Sequence, residues 1–145
     1  VLKSPEKIME QNATNEFSFR LKPAQHGIGV FAMHDIKKGT HLRLFGDEDI
    51  NKPEDTFVNC RFLKEEEIPE PFKNLCDSKE GGMAICPKDF GCTEVGWYLN
   101  HSEAPNAMHK DYYFYASRDI SAGEEITIDY RTLEEPEEER EDFYK

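Results

Sequence analysis

The sequence predicts a mainly β domain of many short strands with little helix, and three observations carry that expectation. Short runs in which apolar and polar residues alternate recur along the chain, and glycine or proline stops most of them. The one stretch rich in helix-forming types is cut by two prolines. A length of 145 residues is that of one ordinary domain, and ten Phe, six Tyr and one Trp exclude full disorder although a third of the residues are charged.

The first alternating run is Phe17-Ser18-Phe19-Arg20-Leu21-Lys22, with Pro23 as its stop. Ile28-Gly29-Val30-Phe31-Ala32-Met33 follows almost at once, then Thr40-His41-Leu42-Arg43-Leu44-Phe45, which Gly46-Asp47 ends. Thr56-Phe57-Val58-Asn59-Cys60-Arg61-Phe62 is a further strand candidate. Between Lys64 and Leu75 the residues favour helix, but Pro69 and Pro71 confine it to a short helix or two turns. From Asp77 to Cys92 the Gly81-Gly82 pair, Pro87 and Gly91 indicate an irregular connection. Late in the chain Tyr112-Tyr113-Phe114-Tyr115-Ala116 and Glu125-Ile126-Thr127-Ile128-Asp129-Tyr130 are strongly strand-like.

Shifting the chain by 84 positions exposes an internal echo. Phe31-Ala32-x-x-Asp35-Ile36-x-x-Gly39-x-x-Leu42 matches Tyr115-Ala116-x-x-Asp119-Ile120-x-x-Gly123-x-x-Ile126. In each copy the Asp is expected to close a local turn through its own backbone, the Ile to pack inward and the Gly to supply the turn before the next strand. Two copies are too few for a stacked repeat, so the echo reads as duplicated corner geometry in one core.

The formal net charge is -12. Residues 134–145 hold seven acids and two bases, and the 23 acids and 16 bases of the remainder still leave -7. That balance disfavours direct nucleic-acid binding and suits a cationic partner. No apolar run approaches the roughly 20 residues that span a bilayer, and the start Val1-Leu2-Lys3-Ser4-Pro5-Glu6 has no apolar signal region. An intracellular protein without a membrane partner is therefore expected, with cytoplasm and nucleus not distinguished. Cys60, Cys76, Cys86 and Cys92 form no C-x-x-C pair, so no metal is expected and four reduced thiols acting as small core groups are the default.

Three stretches carry candidate chemistry. His26-Gly27-Ile28-Gly29-Val30-Phe31-Ala32 fits a loose dinucleotide fingerprint, but Gly39 interrupts where a helix would have to follow, so that reading is rejected. Two turn glycines, or bare backbone at Gly27 and Gly29 that lets a ligand lie against the main chain, remain as readings. Trp97-Tyr98-Leu99-Asn100-His101-Ser102-Glu103-Ala104-Pro105-Asn106 is the densest polar and aromatic cluster. Its Ser–His adjacency lacks a nucleophile elbow, and the Asn and His residues could equally be caps around Pro105. The third stretch, Gly123-Glu124-Glu125-Ile126-Thr127-Ile128-Asp129-Tyr130, ends a strand on a tyrosine.

Together and in this order these stretches resemble the SET-domain family of protein-lysine methyltransferases. The resemblance rests on Gly27-Ile28-Gly29-Val30-Phe31, Asn100-His101-Ser102-x-x-Pro105-Asn106 and Arg118-Asp119-Ile120-x-x-Gly123-Glu124-Glu125-Ile126-x-x-Asp129-Tyr130. It divides the chain into an N-terminal extension, 1–16, a SET domain, 17–131, and an acidic end segment, 132–145. It implies small curled β-sheets with a C-terminal segment threaded beneath an earlier loop, an exception to the rarity of knots. It also implies S-adenosylmethionine as methyl donor, S-adenosylhomocysteine as product, and a lysine of a basic protein segment such as a histone tail as acceptor. Residue by residue, the backbone around Gly27, Ile28 and Gly29 would hold the amino-acid end of the donor. Asn100 and His101 would contact it too, with His101 near the adenine. Asn106 would brace the threaded loop, and Tyr130 would be the catalytic tyrosine, in contact with the donor at the end of the lysine channel.

Departures from the family pattern sharpen the expectations. Many members carry Tyr-x-Gly where this chain reads Leu44-Phe45-Gly46, so the channel lining is sought in Tyr112, Tyr113 and Tyr115. Ile128 stands where many members have Phe or Tyr, which leaves the degree of methylation open. The zinc-binding cysteine cluster that follows the domain in many members is absent, and Phe143 or Tyr144 is expected to fold back over the donor pocket in its place. The alternative to an enzyme is a catalytically weak donor- or peptide-binding module of the same fold.

Overall fold

Some strands form where β-branched residues alternate with polar ones, as in Glu125–Ile128, and the chain's Gly, Pro and Asp residues keep its strands short. A computed structural model describes residues 13–45, 60–110 and 113–133. A four-stranded sheet comprises β1 (Phe19–Ala24), β2 (Gly27–Ala32), β6 (Asn100–His101) and β9 (Glu125–Ile128) in the order β1-β2-β9-β6. A three-stranded sheet has β3 (Cys60–Lys64), β5 (Met83–Pro87) and β4 (Asp77–Lys79) in that order, and β7 (Ala107–Lys110) pairs with β8 (Tyr113–Ala116). The helical segments described, such as Glu65–Glu67, Glu70–Leu75 and Val95–Tyr98, are all short 3-10 turns. The main core gathers Val30, Ile36, Leu42, Leu44, Leu99, Phe114, Ile120, Ile126 and Ile128. A smaller one under the second sheet holds Ile68, Ala84 and Cys86.

The threaded topology is visible in the pairing of β9. It runs antiparallel to β2, with Val30 opposite Ile126, and parallel to β6, with Asn100 opposite Thr127 and His101 opposite Ile128. The last strand thus enters between two earlier ones. Its two flanks bring the Gly27–Gly29 segment and the Asn100-His101 pair to the same place.

The 84-residue echo is a local two-fold arrangement, and it differs from the expected self-contained turns. Ile36 and Ile120 pair with each other through two backbone hydrogen bonds of 2.8 and 2.7 Å. Each aspartate reaches across to the other copy: Asp119 accepts from the Lys38 N–H at 2.8 Å, and Asp35 from the Ala122 N–H at 2.9 Å. The Gly39 N–H likewise donates to Ala116 O, and the Gly123 N–H to Ala32 O. Both glycines have positive φ, +86 and +91, so the two corners require glycine for the same reason. With the two copies face to face, the nearest unpaired N–H for each carboxylate belongs to its counterpart.

Other elements depart from the sequence reading for local reasons. Pro23 does not stop β1, because β1 is an edge strand and can spare an N–H; Pro23 pairs with Ile28. Residues 40–45 form no continuous strand; His41 makes isolated bridges to Ala13 and Tyr115 while Leu42 and Leu44 fill the core. Asp77–Pro87, expected to be irregular, is the hairpin of β4 and β5, whose turn uses Gly81 and Gly82 at φ of 78 and 72. Of the strand expected over 56–62, residues 60–62 lie in β3 and the rest lie outside the described residues, as do Gly46, Tyr112, Phe143 and Tyr144.

All four cysteines are free thiols, but they are not alike. Cys86 is buried in the smaller core and Cys92 is exposed. Burial, with the adjacent Cys86 thiol, pushes Cys76 up to about 12, which suits an inert packing group. Among the described residues no group of His, Cys, Asp and Glu could hold a metal ion, and no helix is long and apolar enough to cross a membrane.

Candidate active site

The edge where β2, β9 and β6 meet collects most of the residues singled out by sequence. Gly27 lies in the left-handed region at φ +98, and a Cβ there would meet nothing within 4 Å, so the backbone faces open space. Gly29 is different. A Cβ at this position would collide with the Glu125 carboxylate, 2.9 Å from its Cδ, so glycine here makes room for a protein side chain. The Asn100 amide ties this corner together: its Nδ2 donates to Ile28 O at 3.1 Å and to Glu125 Oε2 at 2.7 Å.

Asn106 holds β9 from the other side. Its side chain is 2% exposed; Nδ2 donates to Glu125 O at 2.7 Å and Oδ1 accepts from the Thr127 N–H at 2.9 Å. One amide therefore satisfies a buried carbonyl and a buried N–H that flank Ile126. The Ser102 N–H, donating to Ile128 O at 2.9 Å, adds a backbone tie from the same loop.

Beyond Ile128 the chain turns into the 3-10 segment Tyr130–Leu133, which places Tyr130 against His101 with ring centroids 5.3 Å apart. His101 Nδ1 accepts from the Tyr130 N–H at 3.0 Å, so a neutral imidazole carries its proton on Nε2. The side chain is 6% exposed, and this burial holds His101 below the usual histidine range despite Asp129 3.8 Å away. Asp129 is drawn to Arg131, whose guanidinium grips both its oxygens and lowers its pKa. The Tyr130 hydroxyl donates to Leu99 O at 2.6 Å. With its one proton committed there, the phenol meets any further group as an acceptor.

Gly27, Ile28, Gly29, Asn100, His101, Ile128 and Tyr130 thus converge. Ile128, 3% exposed, lies opposite His101 in the β6–β9 register. Tyr113 and Tyr115 occupy the face of β8 opposite buried Phe114, around His41: Tyr113 stacks on that imidazole at 4.3 Å and Tyr115 bridges to its backbone. At the position of the missing tyrosine, Leu44 is in the core and Phe45 presses its ring on Gly96, edge-on to Trp97 at 5.5 Å. Tyr98, bonded to Thr93 through its hydroxyl at 2.9 Å, packs on the same core as Phe45 and Tyr130. Phe45, Tyr98 and Glu125 stand within the stretches quoted from the sequence but were given no role of their own there. The signal for the aromatics was the Trp97-Tyr98 pair directly before Leu99-Asn100-His101; for Glu125 it was an acid opening an otherwise apolar and Thr strand.

The family model described as the SET domain matches residues 27–131. Among solved structures, the chain is similar to a Plasmodium falciparum protein named a "putative histone methyltransferase", at 23% identity and a TM-score of 0.46, over 77% of this chain and 96% of that one. No curated protein sequence matches.

Proposed function

Because the chain belongs to the SET-domain family, a family of methyltransferases, we propose that it is an S-adenosylmethionine-dependent protein-lysine N-methyltransferase. The acceptor is a lysine in a basic protein segment such as a histone tail. The observation that carries this reading is the meeting of the Gly27–Gly29 backbone, Asn100-His101 and Tyr130 at one edge through the threaded β9. The residues fit the donor on two counts. Gly27 leaves open backbone, and Asn100, whose N–H groups are spent on Ile28 and Glu125, turns an acceptor oxygen to a ligand that carries an ammonium group.

When bound, the donor supplies an electrophilic methyl on a sulfonium. The protein's part is to present a neutral lysine amine in line with it. Free lysine, with a pKa near 10.4, is charged at neutral pH, so its proton must leave before attack. Apolar walls such as Ile128 disfavour the ammonium form by desolvation, and confinement aligns the lone pair. Tyr130 orients the amine through its oxygen and accepts weak contacts from the methyl hydrogens, while water removes the proton. His101, neutral and fixed by the Tyr130 N–H, offers a flat uncharged surface beside the donor's adenine. The charge of the chain draws a lysine-rich segment toward the site from outside contact range.

Incubation with methyl-labelled S-adenosylmethionine and a mixture of basic proteins is expected to place label on lysine. Donor binding with no transfer to any protein tested would replace the enzyme by a binding module.

A further inference from the structure

The sequence reading assigned both glycines of the Gly27–Gly29 segment to a ligand, yet only Gly27 faces open space; the backbone at Gly29 is covered by Glu125. From this we propose that Glu125 is a positioning residue for the methyl donor and that its carboxylate, with Asn100 Oδ1, receives the donor's α-ammonium group. The inference rests on the donor assignment above.

The orientation of Asn100 follows from the chemistry of its neighbours. Ile28 O and Glu125 Oε2 are both acceptors, so the atom between them has to be the NH2, and Oδ1 is the atom left over. Without Glu125 the amide has one backbone tie and no reason to keep Oδ1 outward. The carboxylate is itself fixed: the Glu125 backbone carbonyl is held by Asn106, its strand pairs with Phe31, and its head lies on bare Gly29 and accepts from Asn100. Among the described residues Glu125 makes no ion pair, and neither its Oε1 nor Asn100 Oδ1 has a hydrogen-bond partner. A half-buried carboxylate and an amide oxygen with unspent acceptor capacity, next to the open backbone at Gly27, match the three N–H donors and positive charge of an ammonium. A methyl donor bearing an amino-acid end supplies that group; an adenosine thioether lacking that end does not.

The test is calorimetric binding of S-adenosylmethionine, S-adenosylhomocysteine and methylthioadenosine, which has no amino-acid end, to wild type, Glu125→Gln and Glu125→Ala. Loss of one charge-assisted contact predicts about 10-fold weaker binding of the first two ligands for Glu125→Gln and a larger loss for Glu125→Ala. Methylthioadenosine is expected to bind all folded forms within about two-fold. In the donor-free protein, the side-chain amide NMR signals of Asn100 shift in Glu125→Ala and stay near wild type in Glu125→Gln, which keeps an acceptor. Equal weakening of all three ligands, or unchanged S-adenosylhomocysteine affinity in Glu125→Gln, overturns the proposal. If Glu125→Ala does not fold, Glu125→Gln alone decides. A wild type that binds none of the three removes the donor assignment itself, a different outcome from a wild type that binds and a variant that binds equally well.

Discussion

Asn106→Ala is expected to be among the most damaging single changes in this chain. The amide is almost fully buried and bonds the Glu125 carbonyl at 2.7 Å and the Thr127 N–H at 2.9 Å, on either side of fully buried Ile126. Alanine leaves both groups without that partner where water has little access. Each orphaned backbone group costs about 1–3 kcal/mol, so the loss is roughly 2–6 kcal/mol before any cavity term. Domains of this size hold only about 5–15 kcal/mol in total. At about 2–4 °C per kcal/mol, the melting temperature should fall by roughly 4–24 °C. Urea unfolding followed by the fluorescence of Trp97, the sole tryptophan, and by circular dichroism measures it. Asn106→Asp separates hydrogen bonding from volume: it keeps an acceptor for Thr127, loses the donor to Glu125 O, and adds a charge near Glu124. It should be no better than alanine. A loss below about 1 kcal/mol for Asn106→Ala would refute the argument that this amide holds the threaded strand.

The two-fold corner and the buried histidine give further expectations. Asp35→Ala and Asp119→Ala each remove one equivalent cross-copy hydrogen bond and should cost a similar amount, about 1 kcal/mol, while the Asn variants, which keep an acceptor, should lose less; unequal losses in urea titrations would contradict the equivalence. For His101 the folded-state pKa is lowered, so the unfolded chain takes up the proton first, near pH 6.5, and the folded state resists it. Stability is therefore present above that pH and is lost as pH falls through it and on toward the depressed folded value. His101→Asn should flatten that part of the pH profile, and an unchanged slope between pH 7 and 5 would count against it.

The fold class was legible because β-strand patterning and the turn residues agree, and the echo of Asp35-Ile36 in Asp119-Ile120 survives as a real two-fold pair. That each Asp would serve the other copy was not legible, since a linear pattern carries no information on which N–H is nearest in space. The β4–β5 hairpin was missed because Gly81-Gly82 reads as a loop; the apolar run Met83-Ala84-Ile85-Cys86 beside it is the pattern of a central strand. The site motifs were legible as residue types at fixed order. The distinction between Gly27, which faces open space, and Gly29, which accommodates Glu125, needs coordinates, because both are glycine for steric reasons that look identical in sequence.

The methyl-transfer role falls above all on Tyr130. Mass spectrometry of lysines in a proteome treated with labelled S-adenosylmethionine and either wild type or Tyr130→Phe tests it directly, with melting and donor binding measured on both proteins. Loss of the hydroxyl removes the bond to Leu99 O and should cost only about 1–2 kcal/mol of stability. Donor affinity is expected to stay within a few-fold, while labelled lysines fall by roughly 100-fold or more. Equal labelling by Tyr130→Phe, or no labelled lysine with wild type that binds the donor, would contradict the account.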